Sequence, residues 1–243
     1  MYYSTRGIFL RKVKYADTSL IAGIYTEEFG LQSYIIKNLR SKGSKMSPGL
    51  LQPLSLLEMV VSHREKANLN HIREMRSAHQ AETMLTDVRK GAITLFLNEL
   101  LIKTIKEENK NPELFNFLFE SIKLFDIMKS NISNFHLAFA LKLTKYLGFF
   151  PQGAYSASNN NFDMEEGLFT TAPAIKTEIF ISGEECEHFA IMLALPYDKI
   201  ESHKLGQATR NSLLNKILLY YSLHIPTAAN FKSHNILREV FKD

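Results

Sequence analysis

Four cations fall within nine residues: Lys37, Arg40, Lys42 and Lys45, with no acid among them. They open the stretch KNLRSKGSKMSPGLLQP, residues 37–53. The chemistry such a cluster offers is electrostatic rather than covalent. Ammonium and guanidinium groups neutralise phosphates and release the counterions condensed on a nucleic-acid backbone. Gly43, Pro48 and Gly49 keep the stretch from continuing as strand or helix, so it reads as a loop between two apolar runs. Two further clusters lie nearby in sequence, Arg11, Lys12 and Lys14, and then Arg64 and Lys66. The plain alternative is a set of solvated surface turns.

Covalent chemistry finds little support. The chain holds no P-loop, no GxGxxG and no GxSxG elbow. His63, His71 and His79 recur every eight residues, a spacing that gives no metal face in strand and turn context, and His203, His224 and His234 lie in separate segments. Cys186, the single cysteine, reads as a buried inert thiol and excludes an internal disulfide or a cysteine zinc site. The pairs Glu27-Glu28, Glu107-Glu108 and Glu165-Glu166 fall in turns or helix ends, where solvated acids are the ordinary case. The expectation is a protein that is not an enzyme and carries no metal or cofactor.

The 243 residues are 45% hydrophobic and 22% charged, a balance that buries a core. No apolar run is long enough to cross a membrane, and MYYSTRGIFL lacks the pattern of a signal peptide. A reducing compartment is expected, which for a bacterial chain is the cytoplasm. The net charge of +4 is unevenly spread. Residues 1–80 hold 12 Lys/Arg against 6 Asp/Glu, and the remainder holds 17 against 19, so all the positive excess lies in the first third.

The elements that must carry these residues follow from periodicity. Segments 7–14, 19–26, 31–37, 54–62 and 69–76 read as five short strands, with a turn at Asp17-Thr18 and another at Glu27–Gly30 where Gly30 takes positive φ. Five strands at this spacing predict a small sandwich or barrel. From about Asp87 the period becomes helical. Helices are predicted over 88–106, from Asn111-Pro112 with Asn111 as cap, and from Ser133 or Asn134 to Gly148. Three more follow, from Ser182 as cap to about Leu195, from Gly206 to Leu223, and from Ser233 to Phe241. Residues 152–178 read as an irregular insert, with Phe162 and Phe169 as anchors and room for a short hairpin. The fold class is α+β in two domains: 1–80 a five-stranded barrel, 81–243 helical. In an OB barrel the face of strands two and three and the loops 1–2 and 4–5 bind nucleic acid, where the basic clusters would fall. Tyr15, Tyr25, Phe29 and Tyr34 are candidates to stack on bases, against a core role that aromatics in strands usually take.

Gly7-Ile8-Phe9-Leu10-Arg11, Asp17-Thr18-Ser19-Leu20, Thr26 with Phe29-Gly30, the run Lys37, Arg40, Lys42, Ser44, Lys45, and Leu51-Gln52-Pro53 together resemble the RecO family of bacterial DNA-repair and recombination mediators. Gly148-Phe149-Phe150-Pro151 and the closing Tyr220, His224, Lys232-Ser233 and Leu237 extend the resemblance over most of the chain. It implies an OB-fold domain, a helical domain, an insert and no enzymatic turnover. It further implies a mediator of the RecF pathway, nucleoid-associated in the cytoplasm, that binds single- and double-stranded DNA and anneals complementary strands. The implied partners are RecR and the C-terminal tail of SSB, with a functional link to RecA loading. Many members carry a four-cysteine zinc site in the insert, and here Ser156 and Ser158 stand in that stretch. The DNA-binding candidates are therefore Arg11, Lys12, Lys14, Lys37, Arg40, Lys42, Lys45, Arg64 and Lys66. A non-enzymatic adaptor whose barrel binds protein, or an RNA-binding module, are the other readings.

Overall fold

A computed structural model describes residues 1–16, 19–37, 48–64, 69–129, 132–171 and 178–242. Five strands close a barrel: β1 Tyr2–Ala16, β2 Ser19–Thr26, β3 Gly30–Lys37, β4 Leu56–Ser62 and β5 Asn70–Ser77, in the order β1-β2-β3-β5-β4. This is the five-stranded OB architecture that the strand spacing and the resemblance anticipate. All pairs are antiparallel except β3 with β5, joined in parallel at Tyr34↔Asn70 and Ile35↔His71. β1 is longer than its apolar pattern suggests, because Tyr2–Ser4 pair with β4 while their side chains stay exposed.

Inward residues alternate along each strand, as the two-residue period of a pleated strand requires. Phe9, Ala22, Ile24, Tyr34, Ile36, Leu57, Met59, Val61, Ile72 and Met75 form one buried cluster. Each large aliphatic or aromatic member contributes roughly 1.5–3 kcal/mol by leaving water. Gly30 turns the chain into β3 at φ 62°, and a Cβ there would lie 2.6 Å from the Glu107 carbonyl oxygen. That close approach lets the Leu31 N–H donate to the same carbonyl at 2.9 Å.

The contacts gather the chain into two compact units, residues 1–87 with 105–127, and 88–104 with 128–243. The barrel unit thus includes helix α2, Pro112–Ile127, as well as the strands. Asn111 caps α2 as expected, its side-chain oxygen accepting the Leu114 N–H at 3.1 Å. Phe115 packs its ring 6.2 Å from that of Tyr25 on the outside of β2. The Arg6 guanidinium lies 4.7 Å from the Phe119 ring and 5.3 Å from the Phe115 ring. It also donates twice to Glu27, at 2.7 and 2.9 Å, which holds the Glu27 carboxyl below its usual range.

Asp126 pins the segment between β5 and the helices. Its carboxylate is fully buried and accepts the backbone N–H groups of Glu82, Thr83 and Met84 at 2.8–2.9 Å. His79 Nε2 meets it at 2.8 Å. The histidine that the sequence could assign only to a structural role has that role here.

The second unit comprises α1 Val88–Thr104, α3 Phe135–Leu147, α4 Glu184–Ala194, α5 Gln207–His224, α6 Ser233–Val240 and a small sheet. α3 is buried over Phe135–Leu141 on every face, which makes it the central helix. Tyr221 donates to the Ala140 carbonyl at 2.7 Å, tying α5 to it. The insert holds a hairpin, β6 Asn161–Asp163 and β7 Leu168–Thr170, joined by a third strand β8 Phe180–Ser182. Phe162 anchors it against Phe169, Phe189 and Tyr220, with ring centroids 4.6–5.3 Å apart. Ser156 and Ser158 hydrogen-bond each other at 3.1 Å. Cys186 is buried, and burial pushes its thiol up to about 12.

Two expected caps are corrected. Ser182 does not open α4, because it closes β8 and Gly183 occupies the cap position without a side-chain bond. Asn134 precedes α3, but its amide donates to the His203 carbonyl at 2.7 Å instead of capping. In both places a tertiary hydrogen bond or strand pairing outcompetes local cap chemistry.

The Asp126 contacts predict a measurable pH dependence. Burial alone would raise its pKa; the three N–H donors and His79 outweigh that and hold it at about 2. A depressed folded-state value means the stabilisation is complete above the unfolded value near 4 and fades as pH falls toward 2. Asp126→Asn is expected to lower unfolding stability by about 2 kcal/mol at neutral pH, read by denaturant melts. It should also flatten the loss of stability that the native chain shows between pH 4 and 2.

Candidate nucleic-acid interface

The far half of β1 leaves the barrel. From Arg11 to Ala16 every residue is exposed, while Thr5 and Gly7–Leu10 are buried. β4 accompanies β1 only over Tyr2–Ile8; beyond it, β1 continues with β2 alone on its flank. β2 in turn carries β3, with Ser19 opposite Lys37. The result is a three-stranded tongue bearing Arg11, Lys12, Lys14 and Lys37.

Pairing fixes which way these side chains point. Directly opposed residues of an antiparallel pair share a face. Arg11 opposes Gly23, which opposes Ser33; Val13 opposes Ile21, which opposes Ile35. Lys37 lies on that same face by the two-residue period. Lys12 opposes Ala22 and Lys14 opposes Leu20, so both stand on the other face. There the Lys12 ammonium donates to the Leu51 carbonyl at 3.0 Å.

Gly23 makes room for Arg11. A Cβ at Gly23 would meet Arg11 Cγ at 2.8 Å and Nε at 3.0 Å. The guanidinium stem therefore lies flat across β2. The same face continues onto β5, where His71 is exposed between buried Asn70 and Ile72 and opposes Ile35. Arg73 is exposed beside it, its guanidinium 4.9 Å from the Tyr2 ring. Arg64 lies beyond the other end of this path, its N–H donating to the Asn70 side chain, which in turn donates to Gln32. From Lys37 to Gln32 is five strand residues, about 16 Å.

Charge compensation distinguishes this face from the rest of the barrel unit. Arg6 pairs with Glu27 at 2.7 Å and Arg76 with Glu58 at 2.5 Å. Those four residues and Glu74 line a cavity of about 600 Å³ on the β1–β4–β5 side, where acids answer bases. Among the described residues, Arg11, Lys14, Lys37 and Arg64 have no carboxylate within 4 Å.

The nine candidates are thus not brought to one place. Arg11 and Lys37 share a face, Lys12 and Lys14 take the opposite one, and Arg64 is set apart along β3. Arg40, Lys42, Lys45 and Lys66 lie outside the described residues, as does the Asp17-Thr18 turn. The aromatic candidates divide too. Tyr25 and Tyr34 are fully buried and do not present a stacking face: Tyr25 lies under α2 and Tyr34 inside the barrel. Phe29 stacks on His63 at 3.9 Å, with Tyr3 edge-on at 5.3 Å. Tyr15 remains 58% exposed. In the sequence His71 is weighed only as a metal ligand and Arg73 is not singled out, although their alternation with Ile72 in LNHIREMR signals an outward face. Among the described residues no group of three His, Cys, Asp or Glu side chains is placed to hold a metal ion. No helix there is long and apolar enough to cross a membrane.

Comparison with known proteins agrees over the whole length. Residues 1–81 match the family profile described as Recombination protein O N terminal, and residues 85–233 the one described as Recombination protein O C terminal. A protein of Azobacteroides pseudotrichonymphae named DNA repair protein RecO is 31% identical over 241 residues, 99% of this chain and 100% of that protein. Proteins of the same name from Bacteroides fragilis and Flavobacterium johnsoniae are 33% and 34% identical, with the same coverage of both chains.

An uncompensated cationic face holds a polyanion of any kind, so heparin is a sufficient first probe. Arg11→Gln with Lys37→Gln is expected to elute from heparin at lower salt than the native chain. Arg76→Gln, whose charge is already answered by Glu58, should elute where the native chain does.

Proposed function

The chain belongs to the Recombination protein O family, and from that premise we propose that it is a DNA-repair protein that works by binding DNA through its barrel. In this reading it binds single- and double-stranded DNA, anneals complementary strands, and helps RecA load on DNA coated by SSB. RecR and the SSB C-terminal tail are its protein partners, and it turns over no substrate. Arg11, Lys12, Lys14, Lys37 and Arg64 engage phosphates, together with Arg40, Lys42, Lys45 and Lys66; His71 and Arg73 extend the same path.

One observation carries the reading: Arg11, Lys14 and Lys37 on the tongue have no described carboxylate within 4 Å, while Arg6 and Arg76 elsewhere on the barrel are held close by Glu27 and Glu58, and Arg73 on β5 meets Glu74 only at 3.9 Å. Annealing asks for no bond to be made or broken by the protein. It asks that two like-charged backbones come together, and a dense cationic surface removes the repulsion that keeps them apart. Phosphate contacts carry no base information, so such a protein accepts any sequence.

Val13 and Tyr15, 59% and 58% exposed between the cations, favour a second reading, an adaptor whose tongue meets protein. A gel shift with a short oligonucleotide, set against capture by RecR or an SSB-tail peptide, separates the two. The adaptor reading stands if peptide is captured and oligonucleotide is not.

Two measurements test the first reading. With about five phosphates engaged, the logarithm of affinity for single-stranded DNA should fall with the logarithm of salt at a slope near −3.5, about 0.7 per contact. Arg11→Gln with Lys37→Gln should reduce that slope by about 1.4, equally for every sequence. A slope near zero rejects electrostatic binding. Gly23→Val, which lifts Arg11 off β2 without removing a charge, should weaken binding while leaving the circular dichroism of the barrel unchanged.

A further inference from the structure

Along β1 the tongue is bare on both sides, while β2 and β3 beside it pack Ala22 and Ile36 into the barrel core. Arg11, Lys12, Val13 and Lys14 are all exposed, although consecutive residues of a strand point to opposite faces. A strand lying on a protein surface would show exposure on alternate residues only. The two faces also differ in what they present. One carries Arg11 and Lys37 and runs on to His71 on β5. The other carries Lys12 and Lys14 on β1, beside the turn Pro48–Leu50 and the Leu51 carbonyl. On that second face β2 and β3 present apolar groups, Leu20 against the core cluster and Ile36 within it, so its charge is confined to β1. Among the described residues the edge of β1 next to Lys12 and Lys14 has no ladder partner, since β4 has already ended at its pairing with Ile8.

Resting on the DNA-binding reading above, we propose that the tongue holds two nucleic-acid backbones at once, one on each face: the first on Arg11 and Lys37, the second along the free β1 edge on Lys12 and Lys14. The ligand class at the second site is a single-stranded polyphosphate backbone. Its occupant is set by charge: two exposed ammonium groups on an edge where no described carboxylate comes within 4 Å. The thickness of the sheet supports double occupancy. A layer of sheet and side chains is about 10 Å thick, and charges separated by more than the 8–10 Å Debye length of physiological salt are largely screened. A strand on one face therefore does little to repel a strand on the other, whereas two strands on one face would meet directly. Val13 and Tyr15 lie among the cations of this ribbon and offer apolar surface to unstacked bases.

Lysines on a free strand edge have another use. They discourage edge-to-edge pairing with a second chain. That role needs no DNA, and it makes a different forecast, which the same variants read.

The experiment counts oligonucleotides. The full chain is saturated with a single-stranded oligothymidylate of about ten nucleotides, and stoichiometry is read by native mass spectrometry and by sedimentation. The native chain is expected to bind two. Lys12→Gln with Lys14→Gln should bind one, and Arg11→Gln with Lys37→Gln should also bind one, with Arg40, Lys42 and Lys45 left intact throughout. Each double variant should lose annealing of complementary oligonucleotides while still binding DNA, and Lys12→Arg with Lys14→Arg should restore the count to two. Thermal melts confirm that each variant is folded. A native chain that saturates at one oligonucleotide overturns the two-face proposal and leaves the DNA-binding reading intact. So does a Lys12/Lys14 variant that still binds two and instead self-associates, which is the edge-guard outcome. A native chain that binds none overturns both.

Discussion

The divided partnership of β1 is the constraint on which the rest of the barrel unit depends. A single strand pairs with β4 through its first half and with β2 through its second, and the register slips between Phe9 and Arg11 at the changeover. That slip coils the strand enough to close a five-stranded barrel. It also decides where closure stops. From Thr5 to Leu10 the strand is walled in; from Arg11 onward every residue is exposed. Gly7 sits at the changeover opposite both Thr26 and Leu57, and a Cβ there would lie 2.6 Å from the Met59 methyl and 2.7 Å from Ile24. The residue at this crossing has to be small for the two neighbours to be served at once.

The outer surface of the barrel is accordingly of two kinds. Near Arg6 and Tyr25 it is covered by α2, and charges there are spent internally: Arg6 on Glu27, with Phe115 and Phe119 beneath its guanidinium. Toward Arg11 and Lys37 nothing described covers it and no acid answers it. In the reading proposed above, a protein that accepts DNA of any sequence needs such a surface more than it needs a pocket. The cavity on the β1–β4–β5 side has the volume of a small-molecule site but pairs its own charges. Fold and charge distribution thus point to the same region of the molecule, one by exposing it and the other by leaving it uncompensated.

Much of this was legible in the sequence. Four of the five strands fall within two residues of their expected bounds, because alternation of buried and exposed side chains is a strong local signal. Asn111-Pro112 opened a helix and Gly30 took positive φ for reasons that act within a few residues. What eluded the sequence was decided by distant partners. Tyr25 and Tyr34 look alike in a list of strand aromatics, yet only the arrival of α2 and the closure of the barrel bury them. Ser182 has the chemistry of a helix cap and is claimed by strand pairing with β6 instead. The cations of the front third are obvious as an excess, but composition is blind to parity. Lys12 is one residue from Arg11 and faces the other way, and only the pairing with Ala22 reveals it. His71 and Arg73 were not read as part of this face because the parallel β3–β5 pairing that brings His71 beside Ile35 is invisible in the sequence.

In the proposed reading DNA lies on the tongue and the outer face of β3 and β5. Amide hydrogen exchange of the full chain, with and without saturating single-stranded oligonucleotide, tests this most directly. Slowed exchange over Arg11–Ala16, Ser33–Lys37 and His71–Arg73, with the helices of the second unit unchanged, is the predicted result. Protection confined to α3–α6, with the barrel exchanging as it does alone, would contradict it.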